Sequence, residues 1–79
     1  MYVRTQFDVL VNLDKVDFVK PMKDPRQEFF AIMAGYMPNN ISYDTSIPLA
    51  KYEKEHLAQN SLNNLCGAIS KGDRYFSFK

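Results

Sequence analysis

Seventy-nine residues, with ten Lys plus Arg against nine Asp plus Glu and 46% hydrophobic residues, describe one small folded domain with no global electric field. A chain of this length buries only about 60% of its unfolded surface, so a stability on the order of 5 kcal/mol is expected. The balanced charge argues against phosphate-led nucleic-acid binding and against acidic mimicry of DNA, and no apolar run approaches the ~18 residues of a membrane helix.

In chain order, Met1 to Gln6 is too short and too polar for a signal peptide, so a cytoplasmic setting is expected. Tyr2 to Gln6 and Val9 to Leu13 are two short extended runs about Phe7-Asp8 and read as a hairpin. Asn12 to Lys15 interrupts the alternation with a bend, which resumes with Val16 and Phe18 and is expected to stop at Pro21. Lys23 to Gln27 is a polar turn, and Glu28 to Met37 is the strongest strand candidate. Pro38-Asn39-Asn40 reads as a turn, and Ile41 to Tyr52 as a long last strand that Pro48 confines to an edge or kinks.

From residue 55 to 71 the periodicity changes to that of a helix, with Ala58, Leu62, Leu65, Cys66 and Ile69 in one band about 100° wide. Glu55 suits the positive end of its dipole, Lys71 the negative end, and Gly72 a left-handed terminating position. Gly67 is expected to allow close approach to the sheet, and Cys66, the only cysteine, to be a packed thiol. The predicted fold is α+β, a small antiparallel sheet of four to five strands packed by one C-terminal helix, in a single domain of residues 1–79.

No catalytic, metal or phosphate-binding constellation is present. His56 has no second ligand at metal spacing, and the Asp14–Asp17 and Glu53–Glu55 pairs are explained by a bend and a helix start. No cofactor and no enzyme activity are expected. Asn40-Ile41-Ser42 matches a glycosylation acceptor, which carries no weight without a secretory route. The basic residues Lys15, Lys20, Lys23 and Arg26 are interleaved with Asp14, Asp17, Asp24 and Glu28 and read as a mixed solvated surface.

Along Glu28 to Met37 both strand faces are apolar, whereas one helix covers only one of them. The second face is therefore covered either by the chain itself, through the curled sheet or the Arg74 to Phe78 tail, or by a partner, and the latter choice makes Phe29, Met33, Tyr36 and Met37 anchors with Arg26 at the rim.

The opening Tyr2-Val3-Arg4-Thr5-Gln6, the run Leu10 to Val16, Tyr52 before the helix, the helical stripe and the closing Gly72-Asp73-Arg74-Tyr75-Phe76 resemble a group of short uncharacterised proteins of bacteriophages and mobile elements in Gram-positive bacteria. The resemblance implies a strand-rich first part, one C-terminal helix and a phage setting, and supplies no activity. Two functions are expected on these grounds. One is a small non-catalytic binding protein that docks on a protein partner, in a phage setting an inhibitor of a host defence system of the anti-CRISPR kind. The other is an oligomer, such as a homodimer, that sequesters a nucleotide-like ligand at a subunit boundary, with Arg4 and Arg74 on phosphate and Tyr75 or Phe76 stacked on the base.

Overall fold

The computed structural model describes residues 1–37 and 42–79, so the Pro38-Asn39-Asn40 turn, the start of the Ile41 run and the Asn40-Ile41-Ser42 acceptor lie outside the described residues. The two N-terminal runs become β1 (Tyr2–Arg4) and β2 (Leu10–Asn12), paired antiparallel with Val3 opposite Val11. The Asn12 side chain accepts from the Asp14 N–H at 3.0 Å and starts a single 3₁₀ turn, Leu13–Lys15, which is the expected bend. Next come β3 (Phe18–Lys23), β4 (Phe30–Gly35), β5 (Ile47–Tyr52), α1 (Glu55–Ser70) and β6 (Tyr75–Ser77).

These strands form two three-stranded sheets, ordered β2-β1-β6 and β3-β4-β5, which corrects the expectation of one sheet of four to five strands. The difference lies in the C-terminal tail. Residues 75–77 do not fold over β4 but run parallel to β1, so that Tyr2 faces Tyr75 and Val3 faces Phe76. The strand expected to stop at Pro21 continues through it, because β3 is an edge strand and a residue without an N–H is tolerated where that group would point away from the ladder. The last long run shortens to Ile47–Tyr52, and Pro48 sits beside a bulge on the other edge, where Ile32 faces Ala50 and Met33 faces Pro48, leaving Leu49 as the extra residue.

Alternation along β4 sends Ile32 and Ala34 to the helix side. They pack with Ala50, the bulged Leu49, Leu65 of α1, Val3 of β1 and Phe78, all essentially without solvent contact. Phe78 meets Phe76 edge to face at 5.0 Å between ring centroids. One cluster thus joins helix and both sheets.

The opposite face of β4 is closed by the chain itself, which overturns its reading as an uncovered surface. Ala31 is fully buried and Met33 is 1% exposed. The Phe18 ring lies over Gly35, so close that a Cβ on that glycine would be 2.5 Å from the ring edge. At the other end, Tyr43 donates to Asp24 at 3.0 Å, and the Lys51 ammonium sits 5.6 Å from the Tyr43 ring centroid.

The helix terminates as its sequence predicts, with Gly72 at φ +74° and its N–H donating to the Ile69 carbonyl at 3.0 Å. Its stripe is narrower than the pattern. Ala58, Leu65 and Ala68 are buried, while Cys66 is exposed rather than packed and Ile69 is 54% exposed, both bordering an open groove with Leu13, Val16 and Val19. Gly67 is not a point of close approach either, since a Cβ there would meet nothing within 4 Å; the glycine at which chains crowd together is Gly35.

Candidate functional site

The four expected anchors and the rim residue Arg26 do not converge. Arg26 and Phe29 precede β4 while Tyr36 and Met37 follow it, and six strand residues at about 3.4 Å each separate them by about 20 Å. Met33 between them is buried and unable to contact a partner, Phe29 is half-buried, and Arg26 donates to Asp44 at 2.6 Å. Tyr36 and Met37 remain exposed together, with the Met37 N–H held by the Asp17 carboxylate at 2.8 Å.

The Arg4, Arg74, Tyr75 and Phe76 set is divided as well. Arg4 and Tyr75 share the outer face of the β2-β1-β6 sheet, while Phe76 points the other way, toward Val3 and Phe78. The Arg4 guanidinium is engaged: Nε donates to Asp8 at 2.9 Å, Nη2 also pairs with Asp8, and this bond, then the neighbouring Tyr75, holds Arg4 above the ordinary arginine value.

What the fold does assemble is the tip of the first hairpin. Asp8 takes a left-handed φ of +65°, a conformation that Asp tolerates better than most residues and that Arg4 pins through the ion pair. Thr5 is buried, and its hydroxyl oxygen accepts from both the Phe7 and the Val9 N–H at 3.1 Å. Its backbone completes the turn, the N–H donating to the Val9 carbonyl at 2.8 Å and the carbonyl accepting from Asp8 at 3.2 Å.

Gln6 then fastens the tip to the rest of the molecule. Its N–H donates to the Leu49 carbonyl at 3.0 Å, its side-chain oxygen accepts from the Lys51 N–H at 2.7 Å, and its side-chain nitrogen donates to the Lys79 carbonyl at 2.6 Å. One residue therefore ties the hairpin to β5 and to the chain after β6.

On this fixed turn three large apolar side chains point to solvent: Phe7 at 47% exposure, Val9 at 51% and Leu10 at 59%. Tyr2 and Tyr75, also half-exposed, continue the surface along the outer sheet face. The sequence carries the signal for this site in an apolar turn, Phe7-Asp8-Val9-Leu10, at a place where polar turn-formers are the norm. Alternation alone misleads here: Val9 has the parity of the inward-facing Val11, but it lies past the end of β1 and has nothing to cover it.

Two further carboxylates are engaged elsewhere. Asp14 takes the Met1 amine at 3.1 Å, and buried Asp24 accepts from the Arg26 N–H at 2.8 Å, from Tyr43 and from Lys51. The Arg26 N–H holds the Asp24 carboxyl below the ordinary carboxylate range against the opposing effect of burial, with smaller help from Tyr43 and Lys51. Among the described residues no three His, Cys, Asp or Glu side chains gather in a way that could hold a metal ion, and no helix is long and apolar enough to cross a membrane.

No protein-family model, curated protein or solved structure matches the chain. The functional reading therefore rests on the residues themselves.

Proposed function

We propose that this protein is a non-catalytic binding module that docks on a protein partner through the tip of its first hairpin. The observation that carries the reading is the buried Thr5 hydroxyl, which holds the Phe7 and Val9 amides and so fixes an apolar tip before any partner arrives. Ordering such a loop on binding would cost roughly 0.5 to 1.5 kcal/mol per immobilised side chain, a cost already met by the fold. Phe7, Leu10 and Tyr2 supply the large apolar and aromatic contacts that dominate interface energies, and Arg4, neutralised by Asp8, adds polarity at the rim without an unpaired charge to desolvate. This surface replaces the buried face of β4 as the docking site.

Photo-crosslinking tests the reading. With a benzophenone side chain at position 7 or at position 70 on exposed α1, discrete protein adducts in the producing cell are expected from position 7 and not from position 70. Equal adducts from both, or none from position 7, would remove the hairpin tip as the docking surface.

A further inference from the structure

The hairpin that carries the apolar tip also carries an open sheet edge, and the two observations together specify the form of the partner. In an antiparallel pair, residues alternate between those whose N–H and C=O both face the neighbouring strand and those whose groups both face away. The Leu13 N–H donates to the Met1 carbonyl and the Thr5 N–H to the Val9 carbonyl, which puts Val9, Val11 and Leu13 in the inward class. Leu10 and Asn12 are consequently the outward class: both N–H groups and the Leu10 C=O are aimed away from β1 with no bond from a described residue, while the Asn12 C=O, at the N-cap of the Leu13–Lys15 turn, accepts the first bond of that turn.

The other three edges are guarded. On β3, Pro21 removes a donor, and Lys20 and Lys23 place charges on the strand. The edge of β5 is met at Leu49 and Lys51 by Gln6. The short β6 is bracketed by Asp73-Arg74 and Lys79. From Phe7 to Leu13, by contrast, the only charged residue is Asp8, which Arg4 already neutralises.

We infer that the partner docks as an extended segment that adds a fourth strand to β2, pairing with the Leu10 and Asn12 backbone while its own apolar side chains pack on Phe7, Val9 and Leu10. The inference rests on the docking reading above and names the partner's conformation. A second copy of this chain does not suit the edge. Three residues at about 3.4 Å each offer an edge of about 10 Å, and two such edges fall far short of the ~800 Å² per partner that stable association needs. A segment from another protein, longer than β2 and able to reach across the tip, gains both the backbone bonds and the side-chain area.

The test uses linear eight-residue peptides selected from a random library on the intact protein. Enriched peptides are expected to protect the Leu10 and Asn12 amides from hydrogen exchange, which in the free protein exchange freely. They should also bind Leu10→Pro about tenfold more weakly than Leu10→Ala, since proline removes the outward N–H and leaves the β1 ladder intact. Amide protection in the wild-type protein decides the matter even if Leu10→Pro does not fold. Peptides weakened by Phe7→Ala that leave both amides unprotected would overturn strand addition while the docking tip stands. Failure to enrich any peptide over an unrelated protein of similar size, or protection of those amides in the free protein that rises with its concentration, would also overturn it, the latter in favour of self-pairing.

Discussion

The Tyr43 hydroxyl donates to the buried carboxylate of Asp24 at 3.0 Å, joining the segment before β5 to the turn between β3 and β4. Because Asp24 is held below the ordinary carboxylate range, it stabilises the fold at pH values above its unfolded value of about 3.9, and that contribution fades as pH falls through its lower folded value. Thermal melts from about pH 2 to pH 7 should therefore show a loss of stability confined to the region below about pH 4. Asp24→Asn is expected to flatten that acid limb; an acid limb as steep as that of the wild type would show that another carboxylate governs it.

Removing the Thr5 hydroxyl should loosen the tip without unfolding the domain. Thr5→Val keeps the shape but leaves two backbone donors without their acceptor, at a cost of roughly 1 to 3 kcal/mol. Amide exchange at Phe7 and Val9 should accelerate in this variant while that at Ile32 does not. Unchanged exchange at the tip would mean that the Arg4–Asp8 pair alone fixes the turn.

Within α1 the two ends of the apolar stripe should respond differently to truncation. Leu65 is 1% exposed in the shared core, so Leu65→Ala is expected to cost roughly 2 to 5 kcal/mol and to remove a large share of a stability on the order of 5 kcal/mol. Ile69→Ala, at a half-exposed position, should cost well under about 1.5 kcal/mol. Chemical denaturation midpoints compare the two, and equal losses would contradict the exposure of Ile69.

Gly35 should resist enlargement. A methyl group there would sit 2.5 Å from the Phe18 ring, and expelling the ring costs roughly 1 to 3 kcal/mol for Gly35→Ala. The penalty should shrink when Phe18→Leu is added, and a double-mutant cycle with no coupling would show that the ring moves aside freely.

Cys66 should react in the native protein. An exposed thiol is expected to be modified by a small aromatic disulfide reagent without prior unfolding, so native and denatured protein should differ little in the extent of reaction. A thiol that reacts only in denaturant would return it to the core.

The sequence made local structure legible and long-range pairing much less so. Helix position, the Gly72 terminator, the hairpin about Phe7-Asp8 and the bend at Asn12 follow from periodicity and turn chemistry within a few residues. The division into two sheets does not, because it depends on β6 finding β1 across more than seventy residues, and a three-residue strand carries almost no pattern of its own. Apolarity on both faces of β4 marks a strand buried on both sides; the pattern does not say that the same chain, with Phe18 over Gly35, closes the second one. Of the residues expected at a site, Arg4 and Tyr75 do lie side by side, whereas the tip itself was hidden by an alternation that Val9 obeys and then outruns.

Parallel pairing of the first and last strands has a consequence for how this molecule is made. The outward groups of Tyr2 and Arg4 gain partners only when Arg74 and Phe78 arrive, so during synthesis β1 must wait until residues 74–78 have emerged. Until then the greasy turn exists without its anchor to Lys79, and changes that disturb residues 74–79 should loosen the first hairpin before the β3-β4-β5 sheet.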